Sequence, residues 1–238
     1  MTPPSLGKLW GIGVGPGDPE LITVKAQRLL HHCAVVAFPA GRSGQPGVAQ
    51  RILSPWLRPD QHQLPLWFPY VDDPAVLTAA WEQAAETVWE HLAQGQDVVF
   101  ATEGDASFYS TFTYLAQTLQ QQHPEVSVEV VPGVCSPLAA AAMLGQPLTI
   151  QHQRLTVIPA FYGVEGLEAA LEAAEVVVLM KVASVYPQVW EILARRQLLH
   201  RSAVVVRATQ PDQVMYRDLT DKPQLDLPYF SLLIVQCE

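Results

Sequence analysis

An α/β protein of two domains is the fold class that three observations on this chain predict. Short apolar runs of strand length alternate along it with helix-length segments. Glycine, proline and aspartate punctuate the junctions, where they stop strands and open helices. After about residue 134 the texture changes, and the last strands follow one another without intervening helices, so a mostly parallel sheet over 1–133 gives way to a mixed sheet over 134–238. A length of 238 residues suits one large or two small domains, and 49% hydrophobic against 16% charged residues supports a packed core.

The elements follow in order. A strand over about 9–14 leads into GVGPGDPE, with glycines at 11, 13, 15 and 17. Asp18 suits an N-cap and Pro19 a first helical position, so a helix is expected from Pro19, with Leu21, Ile22, Leu29 and Leu30 near one face. AVVAF at 34–38 reads as a buried strand. Residues 40–73, rich in proline and glycine, predict a short helix plus a long surface excursion. Asp73-Pro74 repeats the cap-and-proline start, for a helix through Trp81, Ala85, Val88, Trp89 and Leu92 that stops at Gly95. A buried strand in DVVFATEGD, a helix after Ser110 and a strand ending at Pro132-Gly133 complete the first domain. The second opens with the small-residue helix CSPLAAAAMLG. It continues with a strand in RLTVIPA, a helix over 165–174, a strand in EVVVLM, a helix over 184–197, a strand in SAVVVRA, a polar turn region and a final strand in YFSLLIVQ.

Charge and composition exclude several classes. The net charge of -9, with dispersed lysines and arginines, argues against a nucleic-acid surface. Cys33, Cys135 and Cys237 are odd in number and lack a CxxC pair, so neither a disulfide framework nor a structural zinc site is expected and a reducing cytoplasm fits best. The seven histidines are scattered without ligand spacing, so no metal site is expected. No charged leader with an apolar core, and no run near the roughly 18 apolar residues that span a bilayer, predicts secretion or membrane insertion.

Three segments carry candidate chemistry. In the glycine loop, alternate glycines let the backbone leave a strand with unusual dihedrals and let a ligand approach closely. A GxGxxG register fails, because its last position falls on Pro16 or Asp18, and no glycine precedes Lys-Ser or Lys-Thr as a P-loop demands. The cap carboxylate of Asp18 also makes this helix start a poor phosphate seat. The second segment, Thr102 to Thr111, gathers carboxylates, hydroxyls and aromatics at a strand's carboxyl end, although the same residues serve ordinary turns. In the third, VPGVCSPLAAAAMLG, small side chains let a helix pack close to a sheet or to a flat ligand.

Together these segments resemble the tetrapyrrole methylase family, S-adenosylmethionine-dependent enzymes of corrin and sirohaem synthesis. The GxGxGxGD loop appears as Gly11 to Asp18, the GD(P)xxY/F turn as Gly104 to Tyr109 and the PGxS segment as Pro132 to Ser136, in the family's order over nearly the whole chain. Ala106 stands where most members have proline. The YSTF run at Tyr109 to Phe112, the helix bearing Trp81 and Trp89, and the terminal YFSLLIV are similar to the branch that methylates carbon 20 of precorrin-2.

The resemblance implies two α/β domains with the active site in the cleft between them, and a homodimer. It implies S-adenosylmethionine bound by Gly104, Asp105, Phe108, Cys135, Ser136, Met180, Lys181, Arg207, Ala208 and Ser231. The tetrapyrrole, metal-free or cobalt-loaded, is expected against Gly13, Gly15, Pro16, Ser107 and Tyr109, with Glu103 or Tyr109 taking the proton that leaves carbon 20. Its rim carboxylates need local cations, for which Lys8, Lys25, Arg42, Arg51, Lys181 and Arg207 are candidates. For Met180 and Cys135 simple core packing is the plainer reading. Competing functions are another methylase of the family, a nucleotide-dependent α/β oxidoreductase and a non-catalytic binding protein.

Overall fold

The computed structural model describes residues 5–41, 45–69, 71, 73–159 and 163–237. The chain divides into two compact units, Met1–Cys135 and Ser136–Glu238.

The first unit holds β1 (Leu9–Gly13), α1 (Val24–His32), β2 (Val35–Pro39), α2 (Val48–Leu53), β3 (His62–Leu66), α3 (Pro74–Leu92), β4 (Val98–Thr102), α4 (Thr111–Gln122) and β5 (Val128–Val131). Its strands form one sheet in the order β3-β2-β4-β1-β5, and every pairing is parallel. Alternation along the strands explains why their sequences are apolar throughout. Val35, Ala37, Val98 and Phe100 face the layer of α3 and α4, among Ala85, Val88, Phe112 and Leu115. Val36, Phe38, Val99 and Ala101 face the opposite layer, with Ala26 and Leu30 of α1 and Ile52 of α2.

The second unit holds α5 (Ser136–Leu144), β6 (Leu155–Pro159), α6 (Leu167–Ala173), β7 (Val176–Met180), α7 (Tyr186–Arg195), β8 (Ser202–Val206), β9 (Val214–Tyr216) and β10 (Ser231–Gln236). Its sheet runs β6-β7-β10-β8-β9; only β6 and β7 are parallel, as the expected mixed sheet requires. Leu171 of α6 and Val189 and Leu193 of α7 pack with Val177, Leu179, Val204 and Leu233 of the strands. The buried Ala139, Ala140 and Ala141 bring α5 close to β10.

Three local expectations change. The helix expected from Pro19 starts at Val24, because Asp18 caps only a 3-10 turn over Pro19–Leu21 and Ile22 is extended. A second cap then takes over, with Thr23 Oγ1 accepting the Ala26 N–H at 3.2 Å. Within 40–73 the short helix is present as α2, but the excursion also contributes β3, an edge strand that tolerates Pro65. The polar turn region contains β9, another edge strand. Neither edge strand carries an apolar run long enough to announce itself.

Candidate active site

β1 lies between β4 and β5, and the registers set Ile12 beside both Ala101 and Val131. The segments leaving these strands therefore emerge side by side at the carboxyl edge of a parallel sheet, where ligands of open α/β sheets bind. These segments are the three that sequence singled out.

Backbone contacts knit them together. Gly15 donates its N–H to Gly104 O at 3.1 Å and accepts that of Gly104 at 2.8 Å, forming an antiparallel bridge. A Cβ on Gly13 would lie 2.6 Å from Gly104 O and 2.8 Å from Gly133 N, and one on Gly11 would run into the Phe112 ring. The side chains missing at Gly11 and Gly13 thus make room for protein. Gly15 at φ +83° and Gly104 at φ +70° need the left-handed region. At Gly104 the nearest neighbour of an added Cβ is Cys135 Cα, 4.0 Å away, so this backbone stays open to close approach.

Asp105 is the centre of the polar contacts. Its Oδ1 accepts the Ser107 N–H at 2.8 Å and the Ser107 hydroxyl at 2.6 Å, and its Oδ2 accepts the Gly133 N–H at 2.7 Å. Burial alone raises its pKa, but the Ser107 hydroxyl and the Gly133 and Ser107 amides outweigh that and hold it below the ordinary carboxylate value. Ala106, in place of the family's proline, is buried in the core with Phe100 and Phe112. Ser110 caps α4 by accepting the Phe112 N–H at 3.1 Å and donates to the Thr102 hydroxyl at 3.2 Å. Glu103 Oε2 is shielded from solvent. Tyr109 is 48% exposed at φ 51°, with its ring edge-on to Phe108 at 4.8 Å.

The second unit gathers the rest. Met180 pairs with Leu232 and Val206 with Ser231, so Met180, Lys181, Arg207, Ala208 and Ser231 collect at one edge of the mixed sheet. Lys181 and Arg207 hold left-handed backbones, φ 59° and φ 46°, as does Thr209 at φ 65°. Such conformations cost about 1–3 kcal/mol each in a non-glycine residue and concentrate at functional sites. Lys181 Nζ lies 5.3 Å from the Tyr229 ring centre, and Arg207 Nη1 pairs with Asp212 Oδ2 at 2.7 Å. The Arg207 N–H donates to Phe230 O at 2.8 Å, and Ser231 Oγ to Pro228 O at 2.7 Å. An open cavity of about 310 Å³ beside Arg207 is lined by Val206, Val214, Tyr216, Asp226 and Pro228.

Among the described candidate cations, Lys181 and Arg207 alone sit at a carboxyl strand end that carries other expected site residues. Lys8 precedes β1 at the opposite edge of the sheet, bound to Glu129 at 2.5 Å. Lys25 points at the Trp10 ring, 6.0 Å away, and Arg51 holds Pro46 O at 2.8 Å. Arg42 lies outside the described residues. Sequence reasoning missed the Gly133 amide as partner of Asp105 and Tyr229 as partner of Lys181. The Pro-Gly turn was visible, but a backbone donor carries no residue signature. Among the described residues no group of histidine, cysteine and carboxylate side chains could hold a metal, and no helix is long and apolar enough to cross a membrane.

Comparison with known proteins agrees with this layout. The chain is 34% identical to a precorrin-2 C(20)-methyltransferase of Sinorhizobium sp, over 99% of this chain and 97% of that protein. It is 35% identical to the cobalt-precorrin-2 C(20)-methyltransferase of Salmonella typhimurium, over 96% of both. Among solved structures, a Thermus thermophilus uroporphyrin-III C-methyl transferase complexed with S-adenyl homocysteine has the same fold, with a TM-score of 0.66, 24% identity and coverage of 96% of this chain and 97% of that one. The family described as Tetrapyrrole (Corrin/Porphyrin) Methylases matches residues 8–223, and the chain belongs to it.

Proposed function

We propose that this chain transfers a methyl group from S-adenosylmethionine to carbon 20 of precorrin-2 or its cobalt form, in cobalamin synthesis. The observation that carries the reading is the meeting of the three family segments at one carboxyl sheet edge, in a chain matched end to end by two relatives that bear this activity in their names.

S-adenosylmethionine, when bound, supplies an electrophilic methyl carbon on a sulfonium. The residues fit such a donor: the open backbone at Gly104, the side chains of Asp105, Phe108, Cys135 and Ser136, and Met180, Lys181, Arg207, Ala208 and Ser231 of the second unit offer apolar surface, hydroxyls and charged groups of both signs. Gly13, Gly15, Pro16, Ser107 and Tyr109 are assigned to the tetrapyrrole, and Lys181 or Arg207 to a rim carboxylate. Methyl transfer to an electron-rich carbon needs little acid or base to start, so alignment dominates, worth roughly 7–11 kcal/mol in well-oriented systems. The proton that leaves carbon 20 goes to Glu103 or Tyr109. Three widely spaced cysteines without a CxxC pair suit a reducing cytoplasm, and we assign a homodimer, testable by sedimentation.

The decisive experiment incubates the protein with methyl-labelled S-adenosylmethionine and either metal-free or cobalt-loaded precorrin-2, then locates the label by mass spectrometry and NMR. Label at carbon 20 is the expected result, and the better substrate form identifies the metal state. Label at another carbon moves the chain to a different methylase of the family, and no label rejects the transferase reading.

A further inference from the structure

We infer that Trp67 is a specificity-determining residue that touches the substrate, forming the outer wall of the tetrapyrrole site; this rests on the methyltransferase reading above. Strand register places it. Gly13 lies beside Thr102 and Ala37 beside Phe100, so two residues further on Pro39 comes level with Thr102, and Pro39 in turn lies beside Leu66. The carboxyl ends of β1, β4, β2 and β3 therefore form one line across the sheet. Trp67 is the first residue past Leu66, as Glu103 is the first past Thr102, and only β2 separates their strands. At about 4.8 Å per strand the two positions lie roughly 10 Å apart along that line. A broad macrocycle whose reacting edge lies over Glu103 spans this gap and meets Trp67 with the edge away from carbon 20.

The flanking residues fix the backbone on both sides of this side chain. Leu66 is buried, Phe68 packs against the same core with its ring edge-on to Phe100 at 6.1 Å, and the Ala40 N–H donates to Leu66 O at 2.7 Å. Trp67 between them is 63% exposed, the most exposed aromatic side chain among the described residues. An indole left in water forgoes one of the largest burial gains that any side chain offers, so a firmly held one marks a surface that a ligand covers. Tyr109, after β4, adds a second exposed aromatic ring to the same edge, and Val76, in the first turn of α3, adds exposed apolar surface. The substrate is the occupant whose chemistry fits: its pyrrole rings present flat apolar faces on which an indole stacks, while its rim carboxylates turn to cations elsewhere.

Trp67→Ala is expected to raise KM for precorrin-2, in whichever metal state the wild type prefers, about tenfold with little change in kcat. Its dissociation constant for S-adenosylhomocysteine by calorimetry and its urea unfolding midpoint should stay at the wild-type values, and Trp67→Phe should recover most of the lost KM. An unchanged KM overturns the proposal, as does an equal weakening of donor binding. A variant whose only change is weaker self-association in sedimentation gives this face to a second copy of the chain and overturns it too. If Trp67→Ala does not fold, the wild type decides. In its complex with S-adenosylhomocysteine, where no methyl group can move, precorrin-2 must shift the Trp67 indole N–H resonance, assigned by its absence from Trp67→Phe; an unmoved resonance overturns the contact. A wild-type chain that methylates neither form of precorrin-2 overturns the methyltransferase reading and this proposal together, whereas normal wild-type turnover with an unaffected Trp67→Ala overturns this proposal alone.

Discussion

The carboxyl edge of the parallel sheet and the matching edge of the mixed sheet are built by different means. At the first, backbone meets backbone: Gly15 and Gly104 exchange hydrogen bonds, Gly13 and Gly133 pack against Gly104 O, and a buried aspartate ties the turns. At the second, the backbone is bent by non-glycine residues, Lys181, Arg207 and Thr209, whose side chains keep ordinary surface partners such as Tyr229 and Asp212. Close backbone approach admits only glycine, so the first edge writes itself into the sequence as a motif. Left-handed lysine and arginine leave no such mark, since any residue is chemically permitted there at a modest energetic cost.

The sharpest way to break this contrast is Gly13→Ala. A methyl group 2.6 Å from Gly104 O cannot be absorbed by rotating a side chain, so the variant should lose about 3 kcal/mol of stability by urea unfolding. An unchanged midpoint would show that the glycines are not packed as described. Next in size is the proton step assigned to the first edge. One of Glu103→Gln and Tyr109→Phe should lower kcat about 100-fold, near 2.7 kcal/mol, while donor affinity holds. If both keep full turnover, no protein base acts at either position.

Smaller effects of opposite sign compare the two edges directly. Gly104→Ala places a Cβ at φ +70° and should cost about 1 kcal/mol. Lys181→Gly relieves a left-handed lysine and should gain about as much stability in the same unfolding assay, while donor or substrate binding weakens. A Lys181→Gly variant that is less stable would remove strain as the signature of the second edge. Least is expected from acid. Glu175 falls from the usual 4.5 to about 2 because the Arg154 side chain and amide bond its carboxylate. With the folded pKa below the unfolded one, its contribution is complete above about pH 4.5 and fades as the pH drops toward 2. In Glu175→Gln that part of the pH dependence of stability should disappear, which acid titrations followed by circular dichroism would detect.

Legibility followed the same division. The central strands β1, β2, β4, β7, β8 and β10 were readable because burial on both faces makes their sequences continuously apolar. The edge strands β3 and β9 were not: β3 is largely exposed and carries Pro65, and β9 has only three residues. The start of α1 was misread because Asp18-Pro19 and Thr23 are both good caps, and only the extended Ile22 between them decides which opens the longer helix.

By itself the sequence determined the alternation of elements, the mixed character of the second sheet and the three segments that identify the family, because each depends on local residue chemistry or on glycine being irreplaceable. Tertiary structure alone decided that Asp105 closes on Gly133, that Lys8 is spent on Glu129 at the far edge of the sheet and that Lys181 and Arg207 share an edge with Ser231. Those facts depend on strand order and register, which bring together residues many positions apart in the chain and leave no trace in any single segment.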